Sequence, residues 1–233
     1  MYDQSLLLRT VSEVGGRLLT PRDLDAVPEH LVARLVEIFD LAGAGMALAE
    51  AGGLKPTVGF PDAVDALEQI QASEQTGPCV EAFRTGELLV IPDLEEYADR
   101  WPSYCKAARV RGLGSAVGIP LRLMDQSVGA VGLYASGRRS WPPEDLQAAV
   151  VLADLVTACL INASKVRQQE QLTEQLQGAL ESRTVIEQAK GVVAATHEVS
   201  IDEAFELIRR HARSHQVTVR AVSDAIVSMG LEI

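Results

Sequence analysis

The sequence predicts an α+β domain, built as an antiparallel sheet with flanking helices, then a long connector helix and a small all-α module of three helices. Three observations carry this. Before residue 162 the apolar spacing changes from helical to strand-like and back. From Glu144 a helical pattern then runs without a break to about Val193. Two shorter amphipathic segments follow, each opened by a hydroxyl residue suited to helix capping.

In chain order, residues 2–19 and 23–41 carry helical spacing (Leu7, Val11, Val14 and Leu18, then Leu31, Leu35 and Ile38), and Thr20-Pro21 separates them. Ala44 to Ala51 and Thr57 to Phe60 are short apolar runs around Gly52-Gly53, which suits two strands and a turn. Asp62 can cap a helix through Ser73, and Gly77-Pro78 breaks the chain before a short helix to Thr85. Glu87 to Ile91 reads as a strand, and Gly114 to Leu123 with Ser127 to Tyr134 reads as an antiparallel pair. Trp141 precedes Pro142 and Pro143, both tolerated in the first turn of the long helix. Between Asn162 and Gln177 that helix turns polar, leaving a thin stripe of Val166, Leu172 and Leu176, continued by Leu180. Such a stripe suits a partner helix, although a plain solvated linker carries the same pattern. Gly178 inside it costs about 1 kcal/mol relative to Ala.

In the C-terminal module, Ile186, Ala189 and Val193 share one face, and Thr196 to Val199 makes a turn. Ser200 and Glu203 form a capping box. The next helix buries Ala204, Leu207, Ile208 and Ala212. Thr218 caps the third helix, whose Val219, Val222 and Ile226 face inwards until Gly230.

With 47% apolar residues, a chain of 233 can bury a sizeable core. The most apolar stretch, Ala148 to Ile161, is too short for a bilayer and carries Asp154, so no membrane span is expected. The first residues lack a basic region and a long apolar run, so no secretory signal is expected and the cytoplasm is the expected location. Cys79, Cys105 and Cys159 show no C-x-x-C spacing and read as reduced thiols. The net charge of −11 argues against indiscriminate phosphate binding. Residues 1–179 hold 15 Lys+Arg against 24 Asp+Glu, whereas residues 180–233 hold 6 against 8. Any nucleic-acid contact in the C-terminal part therefore rests on placed side chains rather than on a broad field. No phosphate-binding loop, nucleophile elbow, zinc-protease or kinase motif is present, so no catalytic residue is assigned. His211 and His215 stand four apart without a third ligand at suitable spacing, so no metal is expected; no cofactor is evident either.

The strings Gly77-Pro-Cys-Val-Glu-Ala82, Asp93, Arg100-Trp-Pro102, Gly112-Leu-Gly-Ser115, Ile119-Pro-Leu121 and Val128-Gly-Ala-Val-Gly-Leu-Tyr134 resemble the GAF domains of actinobacterial-type regulators, over residues 20–162. The resemblance implies a sensor domain for a small-molecule effector or for redox state. Trp101, Tyr104 and Cys105 are the candidates to line its pocket, set against the commoner reading of such residues as core.

Residues 168–229 resemble the ANTAR family, on Arg183, Ile186-Glu-Gln-Ala-Lys-Gly191, Ala204-Phe205, Leu207, Arg209, Ala212 and the helix from Val219 to Val227. That resemblance implies a homodimer, with residues 163–180 as connector and candidate seam, that binds stem-loops in leader RNA and prevents transcription termination. Bare backbone at Gly191 lets a nucleic-acid strand approach while the Lys190 ammonium meets a phosphate. Gln188 offers a donor and an acceptor to an unstacked base. Arg183, Arg209, Arg210 and Arg213 add phosphate contacts or stacking, although Arg209 and Arg210 equally suit the C-terminal end of a helix dipole. The chain departs from the family at Val192 to Thr196, where a Leu-Met pair and a basic residue are usual, and at Glu198, where Gly is common. Two other functions compete: a helix-turn-helix binding DNA, poorly equipped because Arg220 is the one base on the last helix, and a ligand sensor acting through protein partners.

Overall fold

A computed structural model describes residues 2–17, 26–51 and 53–233, so the expected break at Thr20-Pro21, Leu18 and the start of the 20–162 span lie outside the described residues. The chain divides into two compact units, Met1–Val166 and Arg167–Ile233.

In the first unit a five-stranded antiparallel sheet has the order β2-β1-β5-β4-β3. Its strands are β1 (Gly43–Glu50), β2 (Gly53–Phe60), β3 (Leu89–Ile91), β4 (Leu113–Leu123) and β5 (Gln126–Ser136). The helices are α1 (Gln4–Arg17), α2 (Val27–Phe39), α3 (Asp62–Glu74), α4 (Pro78–Thr85), α5 (Pro102–Val110) and the start of α6 (Pro143–His197). Side chains alternate across each strand, so the sheet feeds two cores. Val117, Ile119, Leu121, Val131 and Leu133 pack with Leu31 and Leu35 of α2 and Leu152 and Val156 of α6. Ala116 and Tyr134 point the other way, to Val64 and Leu67 of α3 and Tyr104 of α5. Small residues on that second face let the helices approach closely: a Cβ on Gly118 would stand 2.5 Å from the carbonyl oxygen of Pro78, in α4.

Three elements differ from expectation. Strand β2 begins at Gly53 rather than Thr57 and includes Pro56. It is an edge strand, and its register with β1 shifts between Met46 and Ala47, where the missing Pro N–H is tolerated. Helix α5 was not anticipated, although Trp101, Tyr104, Cys105 and Ala108 have helical spacing and Pro102 stands in its first turn. Helix α6 runs on to His197 instead of ending near Val193. Part of α6 is apolar enough to cross a membrane by length and composition. Within the first unit, however, its Leu152, Ala153, Val156 and Cys159 are core residues against the sheet.

In the second unit the end of α6 packs with α7 (Ile201–Ser214) and α8 (Val219–Met229) around Ala189, Val193, Ala204, Ile208, Ala212, Val222 and Ile226. Ser200 and Glu203 form the full capping box, and Thr218 accepts from the Ala221 N–H. The hydrogen bonds that the Glu203 carboxyl accepts from the Ser200 N–H and hydroxyl hold it below its usual range. Helix α6 stops through a left-handed residue, Glu198 (φ 55°), with the Val199 N–H bonded back to Ala194 O at 3.1 Å.

Candidate functional site

Helix periodicity sorts the residues expected to meet RNA into groups. On α6, Arg183 and Lys190 stand two turns apart on one side, Gly191 lies about a quarter turn round from Lys190, and Gln188 faces away from it on the far side. On α7, Phe205, Arg209 and Arg213 form one row at i, i+4, i+8, and Asp202, Glu206 and Arg210 form the next. Tertiary packing then brings Lys190 and Arg209 together over one ring. The Lys190 ammonium lies 5.5 Å from the Phe205 centroid and the Arg209 guanidinium 5.7 Å from it.

Both cations have carboxylate partners. Lys190 Nζ donates to the two Glu187 oxygens at 2.9 and 3.0 Å, and Arg209 Nη1 donates to Glu206 at 2.7 Å. Arg213 is 3.9 Å from the same Glu206. The three cations of the cluster are thus offset by two carboxylates. Arg210 stands apart, in a groove with Asp202, Glu203 and Glu206. Arg183, Gln188 and Gly191 are exposed on α6. A Cβ placed on Gly191 would meet nothing within 4 Å, so packing gives no reason for a glycine there. Phe205, among the residues that carry the ANTAR resemblance but not among the expected contacts, belongs to the same site; it is the one aromatic residue after position 141.

Arg220 has a structural task. Its guanidinium donates to the Gly178 carbonyl at 3.3 Å and lies 3.6 Å from Glu181 and 3.8 Å from Asp224, tying α8 to α6. His211 and His215 stack with centroids 4.1 Å apart, and His215 Nδ1 lies 3.0 Å from the His211 carbonyl oxygen.

In the first unit, Trp101, Tyr104 and Cys105 all lie in the core cluster between the sheet and α3 and α5. Trp101 stacks on Tyr97 at 5.1 Å and meets Tyr104 edge-on at 6.1 Å, while Cys105 Sγ donates to Leu94 O at 3.4 Å. Trp101 also walls a surface depression with Gly77, Arg84 and Arg100.

Next to this layer is a buried polar cluster that the sequence reading did not find. Its signal was present: Val64, Leu67, Glu68 and Gln71 occupy one face of α3, and two of them are polar. The Tyr134 hydroxyl donates to Glu68 Oε1. Gln71 Nε2 donates to Glu68 Oε2 at 3.3 Å and to the Tyr134 oxygen at 3.2 Å, and Gln71 Oε1 accepts from the Cys79 N–H at 2.9 Å. Burial, reinforced by the charge of Asp65 and opposed by the bonds from Tyr134 and Gln71, pushes the Glu68 carboxyl up to about 7. Burial also pushes the thiols of Cys79, Cys105 and Cys159 up, so all three stay protonated and unreactive near neutral pH.

Comparison with known proteins agrees with this division. Residues 21–160 match the GAF domain model, and residues 174–227 match the ANTAR domain model. No curated protein matches the chain. Among solved structures, the GAF domain of a phosphoenolpyruvate-protein phosphotransferase from Acinetobacter is 11% identical with TM-score 0.54, covering 68% of this chain and 95% of that one. The corresponding GAF domain from Coxiella burnetii is 16% identical with TM-score 0.53, covering 70% and 96%. Free methionine-R-sulfoxide reductase from Neisseria meningitidis is 15% identical with TM-score 0.53, covering 71% and 95%. At such identities the likeness is one of fold. The chain belongs to the GAF domain family and carries a C-terminal ANTAR domain, which makes it a GAF and ANTAR domain-containing regulator.

Proposed function

We propose that this cytoplasmic protein binds looped leader RNA through its ANTAR domain and thereby keeps a terminator hairpin from forming, under the control of its GAF domain. The observation that carries the reading is Gly191. A glycine inside a helix costs about 1 kcal/mol relative to Ala, and here it stands exposed beside Lys190 with open space where a side chain would be. Bare helix backbone next to a cation suits the close approach of a sugar–phosphate strand. Arg183 and Gln188, exposed on the same helix, and Arg209, Arg210 and Arg213 on α7 complete the proposed contact set.

The module works as a homodimer. Leu172, Leu176 and Leu180 are 55%, 58% and 67% exposed at four-residue spacing, a stripe that a second copy would cover. Residues 163–180 then serve as connector and seam. Two weak loop contacts on one transcript combine through effective concentration, which offsets the poor charge balance. An effector acting at the layer of Trp101, Tyr104 and Cys105 shifts the population of dimer arrangements and so the RNA affinity. The DNA-binding reading loses support because Arg220, its one base on α8, is held by Glu181, Asp224 and the Gly178 carbonyl.

Crosslinking the protein to cellular RNA and sequencing what is bound tests this, with Lys190→Ala alongside. Leaders with tandem hairpins are enriched by the wild type and lost in the variant. Equal recovery removes Lys190 from the contact set, and a gel-shift preference for duplex DNA over hairpin RNA refutes the reading as a whole.

A further inference from the structure

Phe205 is the largest apolar side chain of the C-terminal unit, yet it is not part of that unit's apolar core, which is made of Ala, Val, Leu and Ile. Its neighbours Ala204, Leu207 and Ile208 do face that core. The ring is only half-buried, and cations from two different helices, Lys190 and Arg209, lie against it. Burial alone would favour an aliphatic residue here. A flat π-surface outside the core with two cations from different helices close to it has a more specific use.

We propose that Phe205 is the platform on which this domain stacks one unpaired RNA base, with Lys190 and Arg209 holding the phosphates beside it. The inference rests on the RNA-binding reading above and adds the residue that supplies affinity to a module short of positive charge. Stacking of a base on an aromatic ring tolerates any base and requires that base to be out of its duplex. It therefore selects loops over paired stems without depending on a net field. Glu187 and Glu206 occupy the two cations in the free protein; an arriving phosphate takes their place and draws the ammonium and guanidinium to the edge of the ring, leaving its face to the base.

The test uses the full-length protein and a pool of RNA hairpins with a randomised loop, with a blunt RNA duplex as control. Phe205→Leu keeps an apolar side chain and removes the π-surface. It lowers hairpin affinity by roughly 5- to 150-fold, equivalent to about 1–3 kcal/mol, and leaves the salt dependence unchanged. Phe205→Trp retains binding. Lys190→Gln instead reduces the slope of log affinity against log salt by about one. In a second measurement, independent of any variant's folding, hairpins carrying 5-iodouridine in the loop are irradiated on the wild-type protein, and the crosslinked peptide contains Phe205. If the wild type binds hairpins while Phe205→Leu binds as tightly and the crosslink maps elsewhere, the platform is overturned and the RNA reading stands. If the wild type binds no hairpin at low salt, both fall together.

Discussion

The buried carboxyl of Glu68 makes the stability of the GAF domain depend on pH in a way that can be worked out from its surroundings. Its carboxyl is pushed from an ordinary 4.5 to about 7, chiefly by burial. The folded domain therefore prefers the protonated acid, while the unfolded chain ionises near its usual value. Between those two values the folded state holds the extra proton, so stability falls as pH rises. The contribution is fully present below about pH 4.5 and is lost as pH passes through about 7. The whole shift corresponds to roughly 3 kcal/mol, of which about 2–3 kcal/mol falls between about pH 5 and pH 8. Both tryptophans, Trp101 and Trp141, are buried in the first unit, so their fluorescence during urea unfolding reports that unit alone. Glu68→Gln keeps a neutral group of similar shape and removes the titration. The wild type loses about 2–3 kcal/mol more than Glu68→Gln when pH is raised across that window, other titrating groups cancelling in the comparison. Parallel pH profiles for the two proteins would refute the reasoning.

Three further outcomes follow from the backbone. Gly191→Ala raises the thermal stability of the ANTAR domain by about 1 kcal/mol, since helix propensity improves and no atom stands in the way; in a gel shift it also weakens hairpin RNA binding, and unchanged binding would leave the glycine unexplained. Glu198→Gly stabilises the same domain by roughly 1 kcal/mol, because the left-handed conformation at φ 55° is costly for a residue with a Cβ; circular dichroism melting checks it. Gly118→Ala destabilises the GAF domain by about 1–3 kcal/mol, since its Cβ would press on the Pro78 carbonyl and α4 would have to move; tryptophan-monitored unfolding in urea reads the loss.

Much of the molecule was legible before folding was considered. The long helix, the paired strands β4 and β5, the capping box at Ser200 and the cap at Thr218 all rest on interactions between residues near in sequence. Local pattern was weaker where tertiary context decides. Strand β2 extends back through Pro56 to Gly53, and the proline is accommodated because β2 lies at the sheet edge. Helix α5 was missed even though Trp101, Tyr104 and Cys105 had been weighed as core residues as well as pocket candidates, and their spacing already described a buried helix face. Glu198, a departure from the family's frequent glycine, proves to occupy a left-handed helix terminus, a conformation no sequence window prints directly.

By itself the sequence determined most of the elements and the caps at Ser200 and Thr218, because periodicity and capping act over a few residues along the chain. Tertiary structure alone decided which side chains share a site. Lys190 and Arg209 are nineteen residues apart and meet only because α6 and α7 pack together, which places both charges on Phe205. Glu68 and Tyr134 are sixty-six residues apart, and only the stacking of α3 on the sheet shuts that carboxyl away from water and changes the pH at which it ionises.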